Sequence, residues 1–284
     1  MGVLLQISDP HFGTEQPPVV EALLALAARE QPEVVVWSGD ITQRARRAQF
    51  EAASAFARRL DAPHVLAIPG NHDIPLFNLA ARLLHPYRDF LRAFKAEQGH
   101  ALEPELSLPG VYVSGVNTTR AWRHKNGEVS RRQIDRVARR LRQCAPGVLR
   151  VVVIHQPLWI VQEEDRGNLL RGHAQALEAW GKAGADIIMG GHIHLPYVRQ
   201  LESQGPDGSR PLWIVQAGTA LSSRVRGGVP NSVNLIRYQG RRDALQQDAP
   251  GGPRRVIERW DFDNNRSEFR QVQCTAMGIV DFEG

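Results

Sequence analysis

Side chains of the types that bind metal ions follow five short apolar runs in this sequence. Residues 3–7 run into Asp9 and His11, residues 34–37 into Asp40, and residues 65–68 into Asn71, His72 and Asp73. Residues 150–154 lead to His155, and residues 186–189 lead through Gly190 and Gly191 to His192 and His194. A lone Asp in such a place is ordinarily a helix cap, and a lone His a satisfied structural group. Five strand ends in order, each delivering Asp, Asn or His to the edge where open α/β sheets build their sites, call for another reading. Asp9 and His11 lie two apart, as do His192 and His194, so extended backbone would project each pair to one side. Gly39, Gly70, Gly190 and Gly191 allow the tight turns and close backbone approach that a crowded site needs. Two carboxylates, one amide and four imidazoles (Asp9, Asp40, Asn71, His11, His155, His192, His194) exceed one tetrahedral zinc. They suit two ions with a bridging carboxylate and water in the open positions. Nitrogen and oxygen donors without thiolate fit Fe, Mn, Zn or Co and speak against copper thiolate or iron–sulfur chemistry. The chemistry is that of a two-metal hydrolase.

The elements that must position these residues alternate in type. β-branched apolar runs at residues 3–7, 34–37, 65–68, 111–116, 150–154, 186–189, 212–215 and 232–237 read as strands. Helical periodicity occupies residues 19–29, 45–60, 76–97, 131–143 and 173–182, with Ser130 as an N-cap. The order implies a layered α/β domain. Residues 74–108 form the longest insertion between strands, and Leu76, Leu79, Leu83, Leu84, Tyr87, Leu91 and Phe94 keep helical spacing. The segment reads either as a helical cap over the site or as a helix packed on the core. Residues 202–210 and 239–253 read as surface loops, and a C-terminal hairpin turns near Asn264 and Asn265.

Composition narrows the class. The chain has 284 residues, 42% of them hydrophobic, enough to bury a core unaided. Cys144 and Cys274 are its only cysteines, which excludes a disulfide scaffold and a cysteine zinc site and makes a reducing, cytoplasmic compartment the expectation. No apolar run approaches the roughly 20 residues of a membrane span. The first residues lack the pattern of a secretory signal. The net charge is +5, and all of the 35 basic residues but Lys95, Lys125 and Lys182 are Arg, spread along the chain rather than clustered with aromatics. That spread speaks against nucleic acid as the partner.

The ordered set Asp9-x-His11, Gly39-Asp40, Gly70-Asn71-His72-Asp73, His155 and Gly191-His192-x-His194 resembles the signature of the calcineurin-like metallophosphoesterases. The likeness runs over about residues 3–237. Within that superfamily it is greatest to the bacterial class III cyclic-nucleotide phosphodiesterases and their relatives, and the stretch from Gly218-Thr219-Ala220 to Asn231-Ser232-Val233-Asn234 shares it. The resemblance implies a four-layer αββα sandwich, taken here as one domain over residues 1–284. Residues 74–108 would be its cap insertion and residues 254–284 its hairpin extension. It implies Asp9, His11 and His194 on one metal, Asn71, His155 and His192 on the other, and Asp40 bridging. It further implies that His72 stands beside the substrate phosphate as a catalytic residue, oriented by Asp73, and that a metal-bound hydroxide attacks phosphorus. Gln156 stands where a second His is usual, and Pro10 and Phe12 flank His11. These departures remove no ligand but point away from cyclic AMP toward another small phosphodiester.

Other readings are a nuclease, a metal-binding scaffold without turnover, and a membrane-peripheral hydrolase of lipid-linked phosphate or pyrophosphate whose cap faces acyl chains. The scaffold reading expects missing ligands, and none is missing. A homo-oligomer is compatible with the sequence.

Overall fold

The computed structural model describes residues 1–99, 101–202, 211–239 and 255–277. The chain begins β1 (Gly2–Ile7), α1 (Pro17–Glu30), β2 (Val34–Ser38), α2 (Arg47–Arg59) and β3 (His64–Ile68). A 3-10 turn at Asn71–Asp73 precedes three short helices, α3 (Leu79–Leu84), α4 (Arg88–Ala93) and α5 (Lys95–Gln98). There follow β4 (Glu105–Leu108), β5 (Val111–Gly115), α6 (Arg131–Gln143), β6 (Leu149–Val153), α7 (His173–Lys182), β7 (Ile187–Gly190), β8 (Tyr197–Leu201) and β9 (Leu212–Gln216). The described chain closes with β10 (Ser232–Tyr238), β11 (Arg255–Asp263) and β12 (Glu268–Met277).

Two six-stranded sheets result, in the orders β12-β11-β10-β1-β2-β3 and β4-β5-β6-β7-β9-β8. Within them β1, β2 and β3 run parallel, as do β5, β6, β7 and β9, so the site-bearing strands of each sheet end at one edge. Strand alternation sorts the core into layers. Leu4, Val34, Val36, Val151, Val153, Ile187 and Met189 meet between the sheets. Leu5, Ile7, Val35 and Trp37 face α1 and α2 on one outer side, while Val152 and Ile188 face α6 and α7 on the other. Sheets covered on both faces explain why these strands are apolar without interruption. The architecture is the expected helix–sheet–sheet–helix sandwich. Ser130 caps α6 as expected, its hydroxyl accepting from Gln133 N at 3.3 Å.

Two differences from the sequence reading have local causes. The stretch 76–97 is not one helix, because Pro86 cannot donate and the chain restarts at Arg88. Its two parts also face differently: Phe90 and Phe94 enter the core beside Phe50 and Trp37, while Leu79, Leu83 and Leu84 are exposed. The edge strands β4 and β8 were not anticipated, since polar residues interrupt both. The C-terminal hairpin forms around residues 264–267. The expected loops at 203–210 and 240–253, and residues 278–284 of the hairpin extension, lie outside the described residues. Among the described residues no helix is long and apolar enough to cross a membrane.

Candidate metal centre

The seven expected ligands lie just past the ends of β1, β2, β3, β6 and β7, and the structure brings them together. It does so by sharp turns, not by extended backbone. Asp9, His11, Asp40, His192 and His194 all have positive φ, between 44° and 76°. Left-handed backbone costs a non-glycine residue about 1–3 kcal/mol, so five such residues in one site mark a strained, over-determined cluster. Backbone bonds between loops hold it: Asp9 N to Gly39 O (3.0 Å), His11 N to Asp40 O (3.1 Å) and Gly191 N to His155 O (2.9 Å). Gly39 has φ +95°, and a Cβ there would collide with the His155 ring.

Asp9, His11 and His194 form one group of donors, and Asp40, His155 and His192 a second; within each group the ligand atoms lie within 4.8 Å of one another. The pair His192 and His194 is thus divided between groups rather than projected to one side. His194 Nε2 is 3.3 Å from Asp9 Oδ1 and 3.1 Å from His11 Nε2. His155 Nε2 is 3.2 Å from Asp40 Oδ1 and 3.3 Å from Asn71 Oδ1. Asp40 Oδ2 stands 3.9 Å from His11 Nε2, so one carboxylate faces both groups. Backbone carbonyls fix two of the rings: His155 Nδ1 donates to Ser38 O (2.8 Å) and His194 Nδ1 to Arg224 O (2.6 Å), which turns each Nε2 inward as a free donor atom. His11 Nδ1 and His192 Nδ1 are buried with no hydrogen-bond partner. A buried polar atom without a partner is costly. For His192 a cation would relieve that cost, so the donor set fits a pair of metal ions.

Burial and charge set protonation without a metal. Burial pushes His11 and His192 down to about 3 each, against the attraction of Asp40 and Asp9. Burial would raise Asp9 too, but the hydrogen bond and charge of His194 prevail and hold it at about 2. Asp40 lies well below the usual carboxylate range because the charges of His155 and His72 outweigh its burial. The same Asp40–His155 pair lifts His155 to about 9 in spite of burial. Carboxylates are therefore ionised and His11 and His192 neutral at neutral pH, as ligands must be.

His72 and Asp73 occupy the site in different ways. The ring of His72 lies edge-on to His11, with centroids 4.8 Å apart, and its Nδ1 donates to Gln43 O at 2.9 Å. Asp73 was expected to orient that ring, but its carboxylate instead accepts from Gly70 N, Ile41 N, Thr42 N and Thr42 Oγ1 at 2.8–3.0 Å. In the 3-10 turn its side chain folds back to residue 70, so it is a positioning residue that ties the loops after β2 and β3 together. Gln43 and Arg224 share the site without following any strand end in the apolar pattern; only the resemblance of the stretch 218–234 pointed near Arg224. Gln156 is buried and spent on the loop after β5, accepting from Thr118 Oγ1 at 2.6 Å and donating to Lys125 O. Phe12 packs against Trp37 and Phe56.

Comparison with known proteins follows the same lines. The sequence profile described as calcineurin-like phosphoesterase matches residues 2–196. Among solved structures, a purple acid phosphatase from yellow lupin (Lupinus luteus) aligns with a TM-score of 0.67 at 12% identity, covering 97% of this chain and 53% of its own. This chain thus spans about half of the lupin protein. A dimetal phosphatase from Danio rerio aligns with a TM-score of 0.64 at 14% identity, covering 97% of this chain and 98% of its own. At such identities the likeness concerns the fold. No curated protein matches the sequence.

Proposed function

The chain belongs to the calcineurin-like phosphoesterase family, and from that premise we propose that it hydrolyses a small phosphodiester, a cyclic nucleotide or a related organic diester, at a two-metal centre. The observation that carries the reading is Asp40, whose two carboxylate oxygens face separate donor groups. Two ions, when bound there, would supply an activated water near neutral pH and a clamp on phosphoryl oxygens. Asp9, His11 and His194 would hold one ion, Asn71, His155 and His192 the other, and Asp40, which faces both groups, would serve both. The mixed N and O donors suit Fe and Mn, with Zn or Co as substitutes. His72, whose Nδ1 proton is committed to Gln43 O, presents Nε2 as the atom that would take up the proton of the attacking water and deliver it to the leaving oxygen. The preference for diesters is supported by the motif likeness to class III cyclic-nucleotide phosphodiesterases.

Metal-stripped protein reloaded with Mn, Fe, Zn or Co should cleave bis(p-nitrophenyl) phosphate faster than p-nitrophenyl phosphate. His72→Ala should keep its metal and lose about 100-fold to 10,000-fold in rate. Asn71→Ala should lose both metal and rate. Two bound ions with no turnover of either ester would overturn the reading.

A second reading is favoured by one feature. Phe77, Leu79, Leu83 and Leu84 are exposed directly after the Asn71–Asp73 turn, and the Arg44 guanidinium lies 5.7 Å from the Phe77 ring centroid. Apolar residues flanked by a cation at a site's rim suit a lipid-linked phosphate or pyrophosphate. In that case the triple variant Leu79→Ser, Leu83→Ser, Leu84→Ser should lose activity on acylated diphosphates in vesicles while keeping it on bis(p-nitrophenyl) phosphate. Equal activity of variant and wild type on both would remove this reading.

A further inference from the structure

Arg224 lies between β9 and β10, two residues before another arginine that it does not resemble. Arg226 is spent: its guanidinium donates to Asp165, Gln162, Glu164 and the Ile193 carbonyl, pinning this loop to the 3-10 turn Glu163–Asn168. Arg224 is anchored at one nitrogen only. Its Nη1 donates to Gln43 Oε1 at 3.1 Å and stands 3.3 Å from His72 Nε2. The Gln43 carbonyl takes the His72 Nδ1 proton, so the Nε2 lone pair is what receives Arg224. Among the described residues Arg224 has no carboxylate partner, and its Nε and Nη2 make no hydrogen bond. The side chain is exposed to solvent. Its backbone carbonyl, by contrast, is occupied by His194 Nδ1, which fixes where the residue leaves the loop.

A guanidinium oriented along one edge and open along the other is a preorganised fork, and the planar Nε/Nη2 pair matches two oxygens of a phosphate. Neither of its anchors, the Gln43 side-chain amide and the His72 ring, is a carboxylate. We infer that the open edge of Arg224 is an anion subsite beside the metal centre that takes two non-bridging phosphoryl oxygens of the substrate. The inference rests on the phosphoesterase reading for its ligand class, but the receptor is made by Arg224, Gln43 and His72. The oxygens belong either to the phosphorus that reacts or to a second phosphorus of a diphosphate.

The test compares metal-loaded wild type, Arg224→Ala and Arg224→Lys. Titration with inorganic phosphate gives a binding readout that needs no turnover, and KM and kcat are taken for bis(p-nitrophenyl) phosphate and for a diphosphate diester. Because the main-chain carbonyl holds His194, both variants should keep their metal content. Arg224→Ala should bind phosphate about 10-fold to 100-fold more weakly, the usual worth of charge-assisted hydrogen bonds. Arg224→Lys, which keeps the charge and loses the fork, should fall between. A KM increase on both esters assigns the reacting phosphorus, and one confined to the diphosphate assigns the neighbour. If Arg224→Ala binds phosphate as tightly as wild type and its KM is unchanged on both esters, the subsite is refuted even where wild type hydrolyses diesters. If wild type turns over neither ester but Arg224→Ala still loses phosphate affinity, the hydrolase reading fails and the subsite stands.

Discussion

Asp40 sends one carboxylate oxygen toward each donor group, so its removal differs in kind from removal of any other ligand. Asp40→Ala should lower metal content at both positions, whereas Asn71→Ala should take the stoichiometry from two ions toward one. Elemental analysis of purified protein decides it, and an Asp40→Ala variant with two ions would rule out a shared carboxylate. The raised His155 adds a proton balance. In the metal-free protein it is protonated below about 9, so ion binding at neutral pH must expel that proton. Calorimetry in buffers of different ionisation enthalpy should show one more proton released between pH 6.5 and 9 than well above 9, where only ionisation of metal-bound water remains. His72 and Asp73 were both legible as site residues, but their relation was not. Adjacent residues in a 3-10 turn point apart, and Asp73 reaches backbone amides where His72 reaches a carbonyl.

At the scale of elements, Asp73 holds two strand-end loops in register with four donors. Asp73→Asn would set an amide NH2 against backbone N–H groups and leave a donor unsatisfied, a cost of about 1–3 kcal/mol. The expected result is a lower Tm and weaker metal binding together, and a lower Tm with wild-type metal affinity would contradict the positioning role. Farther from the site, Ser130→Ala removes the cap of α6 and should cost about 1 kcal/mol without changing metal content, as thermal unfolding and elemental analysis would show. The helices α6 and α7 were readable to the residue because each carries its own stop signals and a single apolar face. The stretch 76–97 was misread because Leu, Tyr and Phe at helical spacing do not reveal that Pro86 turns the second half inward and leaves the first half outside.

Across the whole molecule, each donor group draws on both sheets. Asp9 and His11 follow β1 while His194 follows β7; Asp40 follows β2 while His155 and His192 follow β6 and β7. Beneath them Gln6 Nε2 donates to Ser38 Oγ and to Gly190 O, a buried polar bridge between the sheets. A bound ion therefore staples the sandwich, and free metal at one hundred times its Kd should add about 2.7 kcal/mol per site. Metal-free stability should also depend on pH in a defined way. His155 is raised from 6.5 to about 9, so its contribution is complete below 6.5 and is lost as pH rises through 9. His11 and His192 are lowered to about 3, so theirs is present above 6.5 and is lost as pH falls toward 3. The Tm of metal-free protein should thus fall on both sides of about 6.5, while metal loading flattens the alkaline side by holding His155 neutral. An alkaline limb that is the same with and without metal would refute the assignment of His155 as a ligand.

The sequence by itself determined which residues come to the site and from which strands, because apolar runs and the polar residues that end them are local properties, and parallel strands put such ends on one edge. It determined the layered architecture for the same reason. The family resemblance already grouped His194 with Asp9 and His192 with Asp40, as the structure does; only the tertiary structure decided His72 with Gln43, Asp73 with the backbone amides, and Arg224 at the rim. These depend on left-handed turns just past β1, β2 and β7 and on contacts such as His11 with His194, 183 residues apart. Side-chain direction at such a turn is set by what the rest of the chain packs against it, and no neighbouring residue encodes that.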